Sequence, residues 1–198
     1  TSKKNINMLN ESNNIKVENI DQFLKELKAY WLANEIPNVS EVNARFLRDL
    51  VKIKWAKNLL EVWTANGYST INFAIEIEKN NWKITTIEFS PDSVAKAKTN
   101  FEAVWLDYII DQRCWNALDI LPTLEEKYDF IFIDWMKKRY KDFFILTWDK
   151  LESGWIMVLD DVIKFKHKME SFYEYLDEIK ITYNLLPIDS DDWVIMII

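Results

Sequence analysis

The fold class this sequence predicts is α/β: an open, mainly parallel sheet of seven strands, finished by a C-terminal antiparallel hairpin. Three observations predict it. Short apolar or β-branched runs alternate with segments of helical periodicity from about residue 57 onward, the pattern of parallel strands joined by helical crossovers. Four of the five core runs end in acids, at Glu61, Glu88, Asp134 and the pair Asp160 and Asp161. The last two runs, 181–188 and 193–198, are separated only by the acidic turn 189–192, too short for a crossover, so they pair antiparallel.

Taken in order, residues 1–20 are polar and rich in Asn and Lys and read as a flexible arm. From 21 to 34, Phe23, Leu24, Leu27, Tyr30 and Trp31 recur at helical spacing, and Ile36-Pro37 closes the segment. Ser40 is an N-cap for a second helix with Phe46, Leu47, Leu50 and Val51 on its apolar side. These two helices occupy 21–54, ahead of the first strand at 57–62. A loop and a helix over 68–79 follow, then a β-branched strand at 83–88. Ser90-Pro91-Asp92 starts the next helix with a cap, a proline in the first turn and an acid suited to the dipole. Strands at 108–114, 128–134 and 155–160 alternate with helices at 117–124, 138–151 and 166–179. Residues 21–198 form a single domain, without internal repeat or low-complexity tract.

With 198 residues and 49% hydrophobic content, the chain can bury a sizeable core. No apolar run is long enough to cross a membrane, and no signal-peptide pattern opens the chain. Cys114 is the single cysteine, which excludes an internal disulfide and a cysteine metal cluster and makes a cytoplasmic location the expectation. A net charge of −7 argues against non-specific nucleic-acid binding, although the run Lys164-Phe165-Lys166-His167-Lys168 is a local basic patch. Such a run is more often a solvated helix start, and His167 reads as a surface residue.

Two counts are abnormal: 10 Trp and 2 Gly, where ordinary usage predicts roughly fourteen glycines. Several tryptophans stand at turns and helix ends, where glycine is usual. If every tryptophan except Trp148 stood for glycine, Gly would rise to 11 and Trp would fall to 1. We favour a source gene in which UGA encodes glycine, translated here as tryptophan, over a genuinely Trp-rich protein, with Trp31 fitting this account least well. UGG codons at these nine positions in the native gene would end the idea.

Ligands of such sheets gather beyond the carboxyl ends of the strands. There Glu88 suits a ribose, because a carboxylate accepts both hydroxyls of a diol. Thr64 and Ser69 are placed to meet a cofactor's polar end, and Asn116-Ala117 an adenine edge, although Ser69 also reads as a helix cap. Asp134, Asp160 and Asp161 are an all-oxygen set that selects Mg²⁺ or Ca²⁺ over zinc; Asp161 also reads as a cap for the next helix. Lys137 follows Asp134 by three residues, close enough to stabilise or deprotonate a substrate hydroxyl. The objection lies in the loop Glu61-Val62-Trp63-Thr64-Ala65-Asn66-Gly67-Tyr68-Ser69, where Trp63 takes the place that most needs a residue without a side chain.

These segments, with Ile36-Pro37-Asn38-Val39-Ser40, Thr86-Ile87-Glu88, Phe132-Ile133-Asp134-Trp135-Met136-Lys137 and Val158-Leu159-Asp160-Asp161-Val162, resemble the cation-dependent, caffeoyl-CoA-type O-methyltransferase family over about residues 36–198. The family pattern has glycine at Trp63, a small residue at Trp135 and Asn at Asp161. The resemblance implies a Rossmann-like class I methyltransferase fold. It implies S-adenosylmethionine surrounded by Val39, Glu61, Trp63, Thr64, Ser69, Glu88, Asn116, Ala117 and Asp134, and Mg²⁺ (or another divalent cation such as Ca²⁺) held by Asp134, Asp160 and Asp161. Asp134 and Lys137 are then the catalytic residues, acting on a small catechol-like or phenolic hydroxyl, and the protein is a homodimer.

A branch with Asp134-x-x-Lys137-x-x-Tyr140 followed by Phe143-Phe144 methylates a hydroxylated uridine in tRNA, so tRNA is the alternative substrate. A non-catalytic protein of the same fold, its cofactor site blocked by Trp63, is the alternative of another class. A dinucleotide-dependent oxidoreductase is disfavoured by the missing Gly-x-Gly-x-x-Gly.

Overall fold

The computed structural model describes residues 19–34, 36–80, 82–190 and 193–198. The expected arm at 1–20 falls almost wholly outside them, as does part of the acidic turn. The elements are α1 (Ile20–Ala33), α2 (Glu41–Lys54), β1 (Asn58–Val62), α3 (Tyr68–Ile77), β2 (Lys83–Glu88), α4 (Pro91–Ala103), β3 (Ile110–Cys114), α5 (Ala117–Ile120), β4 (Tyr128–Ile133), α6 (Tyr140–Trp148), β5 (Leu151–Leu159), α7 (Glu170–Glu178), β6 (Asn184–Pro187) and β7 (Trp193–Ile197). Among the described residues no helix is long and apolar enough to cross a membrane.

One seven-stranded sheet runs in the order β3-β2-β1-β4-β5-β7-β6. β1 pairs in parallel with β2 and β4, and β4 with β5, while β7 runs antiparallel to both β5 and β6. The chain moves outward from β1 to β3, then returns to β4 on the other side of β1. That reversal opens a crevice between the ends of β1 and β4.

Alternate residues of the central strands feed two cores, as the two-residue period of a strand requires. Leu59, Phe130 and Phe132 join Leu47 of α2 and Phe73 of α3 on one face. Leu60, Ile131 and Ile133 join Phe143 and Phe144 of α6 and Phe172 of α7 on the other. Two of the caps read from the sequence hold: the Ser40 hydroxyl accepts from Asn43 N, and the Ser90 hydroxyl from Ser93 N. The other two do not: Ser69 lies inside α3, whose N-cap is Gly67, and α7 is preceded by Met169 rather than Asp161.

Several ends differ from expectation. The helix at 117–124 stops at Ile120 and tightens into a 3-10 turn over Leu121–Thr123, where Pro122 supplies no amide hydrogen. The start of the strand expected at 108–114 is a 3-10 turn over Asp107–Ile109. The strand expected from 155 begins at Leu151, with a register shift opposite Tyr128 and Phe130.

Candidate active site

Every core strand that ends in an acid delivers it to the crevice edge, and the surrounding loops are bent unusually hard. Trp63, Ala65, Met136 and Asp161, all in loops after β1, β4 and β5, have positive φ without being glycine. Backbone of this kind costs energy and concentrates at functional sites.

Behind the β1 loop, Glu61 is fully buried. Its carboxylate accepts from Ser69 Oγ at 2.5 Å and from Thr70 Oγ1 at 2.5 Å, both on α3, and from Thr86 Oγ1 on β2 at 2.6 Å. Because the Thr86 hydrogen is committed to Glu61, Thr64 Oγ1 is the donor in its 2.6 Å contact with Thr86 Oγ1. Burial pushes the Glu61 carboxyl up to about 7, against the opposing pull of the three hydroxyls.

Glu88 sits beside this nest. Its two oxygens accept from the backbone amides of Ala65 and Ser90, both at 2.9 Å, and burial raises its pKa in spite of them. With the backbone of Phe89 as a third donor, the carboxylate retains room for a further donor. Asn116 caps α5 through Leu118 N, with Ala117 packed on the second core. Val39 is buried, and its carbonyl accepts from Lys28 Nζ at 2.8 Å.

The β4 and β5 side is built on charge. Lys137 Nζ lies 2.7 Å from Asp134 Oδ1, 3.4 Å from Asp161 Oδ2 and 3.2 Å from the Asp160 carbonyl oxygen. It also donates to Tyr140 Oη at 2.9 Å. Burial works to lower the lysine's pKa, but Asp134, Asp160 and Asp161 hold it well above the ordinary value, so it stands as an ammonium. Asn43, reaching over from α2, donates through Nδ2 to Asp160 Oδ1 at 2.9 Å. Sequence reading missed Asn43, since a mid-helix amide carries no signal of a partner 117 positions away.

Against the charged group opens a cleft of about 650 Å³, whose walls include Trp63, Asp134, Lys137, Asp160 and Asp161. It thus brings together the expected metal and catalytic residues and Trp63. Val39, Glu61, Thr64, Ser69, Glu88, Asn116 and Ala117 are not on its walls and lie in or beside the supporting loops. Pro37, Asn38, Met136 and Lys138 also line it, as do Lys164, Phe165 and Lys168 of the basic run. The indoles of Trp63 and Trp135 stack on its wall with centroids 4.9 Å apart.

The donor chemistry of Asp134, Asp160 and Asp161 suits a hard divalent cation. Formally, three carboxylates against one ammonium leave two negative charges in excess. Among the described residues, however, no three acid, His or Cys side chains close on one point as a metal-holding group; Lys137 Nζ fills the space beside Asp134 and Asp161. For a nucleoside cofactor, the carboxylate of Glu88 fits a diol, whereas the side chain at Trp63 does not fit a loop that must approach a ligand closely.

The chain is similar to known O-methyltransferases in sequence and in fold. The O-methyltransferase family profile matches residues 13–184. A catechol O-methyltransferase of Niastella koreensis is 32% identical over 169 residues, covering 77% of this chain and 76% of that protein. A caffeoyl-CoA O-methyltransferase of Medicago sativa is 28% identical over 148 residues, covering 71% of this chain and 60% of that protein. The crystal structure of a Bacillus cereus O-methyltransferase in complex with S-adenosylhomocysteine superposes with a TM-score of 0.77 at 26% identity, over 88% of this chain and 90% of that one.

Proposed function

The chain belongs to the O-methyltransferase family, and from that membership we propose that it moves the methyl group of S-adenosylmethionine to a hydroxyl of a small catechol-like or phenolic molecule. The observation that carries the reading is the Lys137 ammonium among three aspartates, opening into a cleft beside the β1 loop. Methyl transfer is a direct displacement and needs no protein nucleophile. What it needs is a hydroxyl made anionic and held in line, which is work for positioned charge.

In this reading Asp134, Asp160 and Asp161 would hold Mg²⁺ once Lys137 Nζ gave up its place beside Asp134 and Asp161, and the cation would lower the pKa of a hydroxyl. Asn43 orients Asp160 through its 2.9 Å bond. Tyr140, buried and bonded to the carbonyls of Ile133 and Asp160, fixes the ends of β4 and β5 against each other. Lys137, held as an ammonium, favours the substrate oxyanion by donating rather than by taking a proton. Trp135 and Phe165 supply apolar walls for an aromatic ring. The neighbouring Lys138, Lys164 and Lys168 on the cleft wall are the observation that keeps hydroxyuridine in tRNA as the second reading, since they face an anionic partner favourably.

The test is mass spectrometry of products after incubation with S-adenosylmethionine and either catechol or hydroxyuridine-bearing tRNA, with Mg²⁺ or with EDTA. A methylated catechol that disappears with EDTA is expected. Methylated tRNA with untouched catechol selects the second reading. No product from the chain or from its Trp63→Gly variant removes both.

A further inference from the structure

Three of the tryptophans have backbone conformations that separate them from the rest. Trp55 ends α2 with φ 57, and Trp105 follows the end of α4 with φ 59. Both close the same hydrogen-bonded cap. Trp55 N donates to Lys52 O, and Ala56 N reaches back to Val51 O at 3.1 Å; Trp105 N donates to Glu102 O, and Leu106 N reaches back to Phe101 O at 3.1 Å. This is the left-handed helix stop in which glycine is the usual residue, and Val51, Ala56, Phe101 and Leu106 on either side of the two stops are all buried in the first core. Both indoles are largely in solvent, at 63% and 57% exposure, so neither is held there by packing. Lys180 closes α7 in the same way, so a side chain is tolerated at such a stop, at a cost.

Trp63 is the more extreme case. Its φ is 94, while its amide donates to Ile87 O at 2.9 Å and ties the loop to β2. For a bulky side chain that conformation is an outlier. Trp31 is the opposite: 1% exposed, within α1, and packed edge-on against Tyr68 at 4.8 Å.

We infer that Trp55, Trp63 and Trp105 occupy positions the fold shapes for glycine, and that Trp63, stacked on Trp135, closes the cofactor side of the cleft. The first part stands on backbone geometry alone. The second rests on the proposed use of S-adenosylmethionine. Removing the Trp63 side chain relieves the loop and withdraws one half of the stacked pair from the cleft wall. Glycine at 55 and 105 touches neither wall and acts only on the helix ends.

Thermal denaturation of Trp55→Gly, Trp105→Gly and Trp31→Gly, with calorimetry of S-adenosylhomocysteine binding to the unaltered chain and to Trp63→Gly, tests both parts. Trp55→Gly and Trp105→Gly should each raise Tm by about 2–4 °C, the scale on which relief of about 1 kcal/mol shows in a chain of this size. Trp31→Gly should lower it. A fall in Tm for both Trp55→Gly and Trp105→Gly overturns the first part. Trp63→Gly should bind S-adenosylhomocysteine at least roughly tenfold more tightly, a change of about 1.4 kcal/mol. Equal affinity in the two chains overturns the second part. If neither binds while Trp63→Gly melts as a folded protein, the cofactor reading itself fails and takes the second part with it, leaving the helix-end result to stand or fall by its own Tm values.

Discussion

At the end of β1, Glu61 is held by three neutral hydroxyls; at the ends of β4 and β5, Asp134, Asp160 and Asp161 gather around an ammonium. Both groups are acids at one sheet edge, and they differ in how the charge is met. Hydroxyl donors do not fully replace water around a buried carboxylate, so Glu61 shifts toward its neutral form. At the second group the neighbouring aspartates instead hold the Lys137 ammonium well above its ordinary pKa. The first arrangement packs hydrogen-bonded side chains behind the β1 loop, and the second keeps concentrated charge facing the cleft. A site that must act on a hydroxyl needs the second, and the first serves to hold it in place.

The largest test of this contrast is Lys137→Met. Removing one partner of a buried pair leaves uncompensated charge and should cost about 3–5 kcal/mol of stability, measured by urea denaturation at pH 7. If the excess negative charge is what a dication meets, millimolar Mg²⁺ should recover part of the loss.

Glu61 gives the next effect through pH. Its carboxyl is raised from 4.5 to about 7 in the folded chain, so the folded state binds the extra proton in that window. The stability it contributes is complete below about 4.5 and is lost as pH rises toward about 7, at most about 3 kcal/mol by linkage. Denaturation at pH 5 and pH 8 should show this fall, and Glu61→Gln should flatten it; an unchanged slope would show that Glu61 is ionised in its nest.

Asn43→Ala removes the neutral donor that the charged cluster borrows from α2, and should cost about 2 kcal/mol, as for a hydrogen bond to a charged group. The smallest effect belongs to the exposed pair Arg139 and Asp142, 3.0 Å apart. Asp142→Asn there should change stability by less than about 1 kcal/mol, which calibrates the buried cases.

The same contrast explains how far the chain could be read in advance. The acids at the strand ends were legible because strand period and strand termini are local patterns, as were the caps at Ser40 and Ser90. The role of Glu61 was not: its three hydroxyls come from α3 and β2, and nothing near residue 61 announces them. Lys137 was legible as a candidate through its spacing from Asp134, but its commitment to Asp161 and to the Asp160 carbonyl depends on β4 and β5 lying side by side. The tryptophans were conspicuous by count, yet a count cannot distinguish Trp31, which fills a core, from Trp55 and Trp105, which bend a backbone.

The sequence by itself determined the order of strands and helices, the parallel sheet with its final hairpin, and the set of acids at one edge, because each follows from side-chain period, cap chemistry or the shortness of a connection. Tertiary structure alone decided which acid was buried among hydroxyls and which became a wall around an ammonium. It also decided that Asn43 belongs to the wall, and that Trp63 meets Trp135 above the cleft. Those outcomes depend on groups brought together by pairing across the sheet, where burial sets the cost of a charge and the nearest donor decides how it is met.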